Sequence, residues 1–239
     1  MIVQMRTGVK KTEVDAVVKK VKSYGWTAQI SQGTDKTVIA ILGTNTGQVS
    51  TDIFAVFPGV ENVTRIMKPY KLASREVHPK DTLVNINGIE VGGKKIVVMA
   101  GPCAVENEKQ LTEAARVIKD AGAVILRGGA FKPRTSPFSF QGLQEEGVDL
   151  LIKVKKKFDL PVVTEVVDAE DLELVSKAAD ILQIGSRNMQ NYSLLTAVGK
   201  KQRYLPNGSV PIPVVLKRGF ACTVTEWLTA ADYLLAEGN

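Results

Sequence analysis

The 239-residue chain is poor in several things that would mark particular functions. It has two cysteines, Cys103 and Cys222, far apart in sequence. They imply no disulfide framework, and they fit a reducing, cytoplasmic setting. Histidine occurs once, as His78, so no histidine-rich metal cluster or paired imidazole chemistry can be built. Placed before Pro79 in a connecting stretch, His78 reads as a packing or hydrogen-bonding residue rather than a catalytic base or metal ligand. Aromatics make up only 6% of the chain. The basic groups Lys155-Lys156-Lys157 and Lys200-Lys201-Gln202-Arg203 are not interleaved with stacking rings. They read as solvated helix faces and give no sign of nucleic-acid binding. The amino terminus lacks an apolar signal core, and no stretch approaches the ~18 apolar residues of a membrane span. Charge of either sign is not in large excess: 31 basic against 25 acidic residues, net +6. That balance suits an enzyme of small anionic substrates.

What is present is ample apolar content, 44%, enough for a sizeable core. Residues 1–70 read as βαββαβ. The strands are expected at 1–5, 26–31, 37–42 and 60–68, with a turn at 33–35. The helices are expected from Thr12 to Tyr24-Gly25, carrying Val14, Val17, Val18 and Val21 on one face, and over 46–56. This order is that of a ferredoxin-like plait. Residues 71–95 form a connector and a hairpin turning on Asn87-Gly88. From residue 96 the rhythm becomes strand, loop, helix. Strands are expected at 96–100, 124–126, 161–164, 181–184 and 213–216, and helices at 109–121, 143–158, 168–178, 193–198 and 223–237. Short β-branched runs alternating with amphipathic helices call for a parallel sheet covered by helices. Without a GxGxxG after the first strand, a (β/α) barrel is favoured over a dinucleotide-binding sheet. The fold class is therefore α/β: a ferredoxin-like domain over 1–70, then an incomplete TIM barrel over 96–239 with about five of the eight βα units a barrel needs. The open edges of such a sheet make the chain read as cut short.

The residues that follow each strand share a chemistry. Gly101-Pro102-Cys103 follows the first. Arg127, then Lys132, Pro133, Arg134 and Thr135, follow the second. Glu165 ends the third, Gly185-Ser186-Arg187-Asn188 follows the fourth, and Lys217-Arg218-Gly219 the fifth. In a barrel these points lie on one rim, where ligands sit. Cations gathered there repel one another unless an anion offsets them. Arginine forks match phosphate and carboxylate oxygens, and lysine supplies a point charge. Lys217 and Arg218 are adjacent and point to opposite sides, so only one enters the site. Cys103 reads equally as a small buried side chain or as a thiolate nucleophile or metal ligand. Cys222 reads as a packing residue.

The motifs AGPC (100–103), LRGGAFKPRTSPFSFQG (126–142), TEV (164–166), QIGSRN (183–188) and LKRG (216–219), in this order, resemble those of 3-deoxy-D-arabino-heptulosonate 7-phosphate synthases. The N-terminal plait makes the chain most similar to the type I beta form. The resemblance covers essentially the whole chain, and the KPRTSP loop is its specific signature. The sister synthase of 3-deoxy-octulosonate 8-phosphate shares AGPC but not KPRT.

The resemblance implies condensation of phosphoenolpyruvate with erythrose 4-phosphate, with a divalent metal of the Mn, Fe, Co or Zn class. Arg127, Lys132, Ser186 through its backbone, Arg187 and Lys217 would hold phosphoenolpyruvate. Lys132, Pro133, Arg134 and Thr135 would hold erythrose 4-phosphate, with Lys132 as the catalytic residue and Glu165 also at the substrates. Cys103 would be a metal ligand, the metal polarising the aldehyde oxygen or activating water. Relatives of this kind imply a homo-oligomer, a tetramer at full length, and inhibition by tyrosine or phenylalanine through the plait. Two features depart from the family pattern: Ser186 stands where alanine is usual, and the last three strands, with a further His, Glu, Asp and Arg, are lacking. The chain alone is therefore expected to be inactive. The competing readings are the octulosonate 8-phosphate synthase and a non-catalytic effector-binding or interaction module.

Overall fold

A computed structural model describes residues 1–33, 36–65, 69–205 and 208–239. Two compact units are formed by Met1–Lys80 and Asp81–Asn239. Residues 34–35 of the expected turn and 66–68 of the expected fourth strand lie outside the described residues.

The first unit runs β1 (Ile2–Met5), α1 (Lys11–Ser23), β2 (Thr27–Gln32), β3 (Thr37–Leu42), α2 (Asp52–Ala55) and β4 (Val60–Thr64). The sheet order is β2-β3-β1-β4 with every neighbouring pair antiparallel. That is the order of a split βαβ plait. Val14, Val17 and Val21 of α1 recur at helical spacing and pack with Val3, Met5, Ile39, Ile41 and Phe54. The helix expected over 46–56 is instead a 3₁₀ turn, Thr46–Gln48, followed by the short α2. Val49 between them is extended, and Ser50 Oγ accepts from the Asp52 amide, so the helix starts afresh. His78 Nδ1 lies 3.4 Å from Ser31 Oγ, a hydrogen-bonding role on β2.

The second unit opens with the hairpin β5 (Val84–Ile86) and β6 (Ile89–Val91). Asn87 and Gly88 both have positive φ, +50° and +90°, as a two-residue hairpin turn requires. Then come β7 (Met99–Ala100), α3 (Glu108–Asp120), β8 (Ile125–Arg127), α4 (Gln144–Phe158), β9 (Val162–Glu165), α5 (Leu172–Ala178), β10 (Ile181–Ile184), α6 (Tyr192–Gly199), β11 (Gln202–Leu205), β12 (Gly208–Pro211), β13 (Val214–Leu216) and α7 (Val224–Ala236). The main sheet is β13-β10-β9-β8-β7, all parallel and in chain order. This is the winding of a barrel wall.

The helices bury one face against the sheet's outer side through Leu111, Leu126, Val148, Leu151 and Val162, and through Val175, Leu182, Leu194 and Val198. On the inner side Ile125, Val163 and Ile181 pack with Ile86 of the hairpin. The local stops are written in side chains. Asn107 Oδ1 accepts from Gln110 N at 2.8 Å to start α3, and Thr223 and Glu226 form a reciprocal capping box at α7.

Three expectations are corrected. The strand expected over 96–100, the first of the parallel sheet, is formed only at Met99–Ala100, an edge with one partner, and Ile96 before it is 86% exposed. The helix expected from 168 starts at Leu172, since Asp168 Oδ1 accepts from Glu170 N and turns the chain before it. Lys200-Lys201-Gln202-Arg203 is not a helix face. It leads into the unforeseen hairpin β11–β12, where Lys201 pairs with Glu173 and Arg203 with Asp180.

Candidate active site

The C-terminal ends of the strands bring the chosen residues together. One cavity of about 250 Å³ is lined by Cys103, Arg127, Lys132, Pro133, Arg134, Thr135, Glu165, Gly185, Ser186, Arg187, Lys217 and Phe220. All the residues singled out in the sequence as substrate or metal contacts are among them. Arg218 is not, in keeping with the alternation of adjacent side chains on a strand.

The geometry is built from β8 outward. Arg127 ends the strand, and Gly128-Gly129 let the chain pass close beneath Lys132. A side chain at Gly129 would lie 3.0 Å from Lys132 Cδ and 3.0 Å from the Cys103 carbonyl. Lys132 is 8% exposed, and its Nζ donates to the Cys103 carbonyl at 2.9 Å. That anchor uses one of its three N–H groups. Gly101, at φ +143°, crosses so near β8 that a Cβ would stand 2.1 Å from the Arg127 carbonyl oxygen. Its lack of a side chain sets Cys103 beside Arg127, whose Nη2 lies 3.7 Å from Sγ. Partial desolvation pushes the Cys103 thiol up, but the Lys132 ammonium and the Arg127 guanidinium outweigh it and hold the thiol below its ordinary value.

Across the cavity stands Glu165, 8% exposed and accepting from Gln183 Nε2 at 3.2 Å. The two are register partners on β9 and β10, so their side chains share a face. Gly185 leaves room for this carboxylate, since a Cβ there would sit 2.0 Å from Glu165 Oε1. The 3₁₀ turn Ser186–Asn188 carries Arg187, and Asn188 Nδ2 ties it to the Val167 carbonyl at 3.0 Å. The Arg187 guanidinium faces the Phe220 ring at 5.7 Å. Lys217 N bonds the Ile184 carbonyl at 3.0 Å, extending the ladder one residue beyond β13.

Sequence reasoning missed three contributors. Phe220 gives no periodic signal because it follows the rim rather than a strand. Gln183 sits inside a quoted motif, but its partner lies on another strand. The steric need at Gly185 shows only when β9 and β10 are side by side.

Arg127, Lys132, Arg134, Arg187 and Lys217 form no ion pair among the described residues. Among the described residues Glu165 is the only carboxylate lining the cavity. Such a surplus of fixed cations suits an anionic guest. Among the described residues no group of three or more His, Cys, Asp or Glu side chains could hold a metal ion. Cys103 instead faces two cations, so the described residues do not by themselves fit a metal site. A larger cavity, about 640 Å³, opens at the opposite end of the strands. Among its lining residues Lys155 is already neutralised by the buried Asp180, and the carboxylate of Asp159 also lines it, so its size does not make it the site.

Parallel strands wound in chain order, with a cation-lined cavity at their C-terminal ends, define a protein of the (β/α)-barrel class. Within that class the chain belongs to the DAHP synthetase I family, whose profile matches residues 19–239. It is similar to phospho-2-dehydro-3-deoxyheptonate aldolase of Thermotoga maritima, at 42% identity over 239 residues, covering 100% of this chain and 68% of the relative. A crystal structure of phospho-2-dehydro-3-deoxyheptonate aldolase (DAHP synthase) from that organism aligns with a TM-score of 0.65 at 41% identity, covering 100% of this chain and 66% of that one. The 2-dehydro-3-deoxyphosphooctonate aldolase of Fusobacterium nucleatum is 37% identical over 125 residues, 49% of this chain and 45% of the relative. The chain thus spans 68% of the length of the Thermotoga relative and 45% of the Fusobacterium one. Among the described residues no helix is long and apolar enough to cross a membrane.

Proposed function

We propose that the cavity holds phosphoenolpyruvate and erythrose 4-phosphate side by side, for condensation to 3-deoxy-D-arabino-heptulosonate 7-phosphate and inorganic phosphate. The observation that supports this reading is the convergence on one cavity of five cations that form no ion pair among the described residues. Two phosphate monoesters and one carboxylate bring roughly five negative charges.

Arg127, Arg187, Lys217 and the backbone of Ser186 take phosphoenolpyruvate, and Pro133, Arg134 and Thr135 take the aldose phosphate. Lys132 lies between them and serves both. With one N–H spent on the Cys103 carbonyl, its remaining N–H groups face the substrates and stabilise charge developing on oxygen. The carbon–carbon bond forms between C3 of phosphoenolpyruvate and the aldehyde carbon, whose oxygen takes a proton. Water adds at C2 and loses a proton, and phosphate leaves as the C2–O bond breaks to give the ketone. Glu165 is the acceptor available to a substrate hydroxyl or to that water. Holding both reactants in one orientation removes much of the entropic barrier. Cys103 is a candidate metal ligand, and a single thiolate does not by itself make a divalent-metal site.

Saturation-transfer NMR tests the reading. Both ligands should bind at once, each displaced by inorganic phosphate, and erythrose 4-phosphate should be preferred to a five-carbon aldose phosphate. Mutual exclusion of the two substrates contradicts the reading. Preference for the five-carbon sugar supports an eight-carbon product instead. The same reading carries a cytoplasmic homo-oligomer, checked by sedimentation, and tyrosine or phenylalanine binding to the first unit. Calorimetry showing no heat with either amino acid counts against that regulation.

A further inference from the structure

The loop between β8 and α4 carries Lys132, Arg134 and Thr135, yet from Arg134 to Gln141 it is exposed throughout. An exposed loop with no core beneath it needs its own internal bonds to hold a shape. They centre on Gln141. Its backbone carbonyl accepts from Lys132 N at 2.8 Å. Its side-chain Nε2 is surrounded by the carbonyls of Ser136 at 3.3 Å, Pro137 at 3.4 Å and Ser139 at 3.0 Å. Three oxygens around one atom identify it as the amide nitrogen, since an oxygen there would be repelled. The neighbouring Phe140 carbonyl accepts from Arg134 Nε at 3.1 Å, and the terminal guanidinium nitrogens, which make no hydrogen bond among the described residues, are left to meet a guest. Gly142, at φ +99°, then turns the chain so tightly that a Cβ would meet the Ala130 carbonyl oxygen at 2.0 Å.

We propose that Gln141 is a positioning residue whose side-chain amide fixes the crown of this loop and thereby aims Arg134 at the aldose phosphate. The inference rests on the two-substrate reading of the cavity. Its two bonding systems separate the two substrates. Lys132 is held by the Gln141 backbone and by the Cys103 carbonyl, neither of which depends on the Gln141 side chain. Arg134 is held through Phe140, inside the part of the loop that the side chain organises. Loss of the amide should therefore weaken the aldose phosphate and spare phosphoenolpyruvate. A role confined to general stability would weaken both alike or neither.

The test is Gln141→Met, which keeps the length and removes the donors. Calorimetry on the 239-residue chain with phosphoenolpyruvate and with erythrose 4-phosphate should show roughly tenfold weaker binding of the aldose phosphate, from the loss of a few exposed hydrogen bonds. Phosphoenolpyruvate affinity should change less than about twofold, because truncation leaves the backbone anchor of Lys132 in place. Trypsin cleavage after Arg134 should also speed up, a readout that needs no ligand. Equal aldose-phosphate affinity in the parent and Gln141→Met chains, or unchanged cleavage, overturns the positioning role while leaving the two-substrate reading standing. If the unsubstituted chain binds neither compound, the two-substrate reading fails and this inference with it.

Discussion

The two ends of the parallel sheet treat charge in opposite ways. At the N-terminal end Asp180 is 2% exposed and fully engaged. It accepts from Val162 N at 2.8 Å and Asn87 Nδ2 at 3.1 Å, and it pairs with Lys155 at 2.5 Å and Arg203 at 3.3 Å. The carboxylate thereby ties the hairpin β5–β6, helix α4, strand β9 and hairpin β11–β12 to one point. At the C-terminal end the balance is reversed. Five cations meet one carboxylate, Glu165, and none of the five forms an ion pair among the described residues. A buried charge with its counter-charges in place ties elements of the fold together, whereas cations gathered without a matching counter-charge favour an anionic guest. The larger cavity lies at the first end and the candidate site at the second, so the state of the charges, not the volume, separates them.

Substitutions at the two ends should separate stability from binding. The largest effect is expected from Asp180→Ala. It leaves Lys155 and Arg203 without their anion and Val162 N without its acceptor, which should cost about 3 kcal/mol of folding stability. Urea unfolding reads that loss, and phosphoenolpyruvate affinity of the folded fraction should not change. At the other end, Lys132→Ala should weaken phosphoenolpyruvate roughly a hundredfold, as loss of a charge-assisted bond in a buried setting does. Its urea midpoint should move far less than that of Asp180→Ala. Gly185→Ala should act within the rim alone. Its Cβ displaces the Glu165 carboxylate toward the cations, lowering phosphoenolpyruvate affinity by about tenfold.

The smallest effect is a titration. Because Lys132 and Arg127 favour the Cys103 thiolate, Cys103 should alkylate with iodoacetamide at lower pH than an ordinary thiol. Removing a cation disfavours the anion, so Lys132→Met should move that profile to higher pH. A profile that stays in place would mean the cations do not set the charge state of the rim.

Much of the rim was legible in the sequence because parallel strands announce themselves as short β-branched runs, and the residue after each run falls on the same edge. Arg127 and Glu165 end such runs, Lys217 follows one directly, and Arg187 lies on the turn just past another. The first helix of the N-terminal unit was legible from its valine spacing, since Val14, Val17 and Val21 all face the core. What escaped depended on contacts across the chain. The Asp180 hub draws on Asn87, Lys155 and Arg203, which no local pattern links. The hairpin β11–β12 exposes Tyr204 at 85%, Leu205 at 47% and Val210 at 43%, so it lacks the one-sided alternation by which a strand is recognised. The divided helix around Val49 and the late start of α5 were decided by Ser50 and Asp168 bonding their own backbone neighbours, a competition that apolar periodicity does not report.

The most direct measurement is a calorimetric titration of the 239-residue chain with phosphoenolpyruvate. It should be run beside Lys132→Ala at the rim and Lys156→Ala at the far cavity. Saturable one-site binding, weakened by salt, reduced by Lys132→Ala and untouched by Lys156→Ala, is the predicted result. No binding, or binding reduced equally by both substitutions, would contradict the assignment of the anion site to the C-terminal ends of the strands.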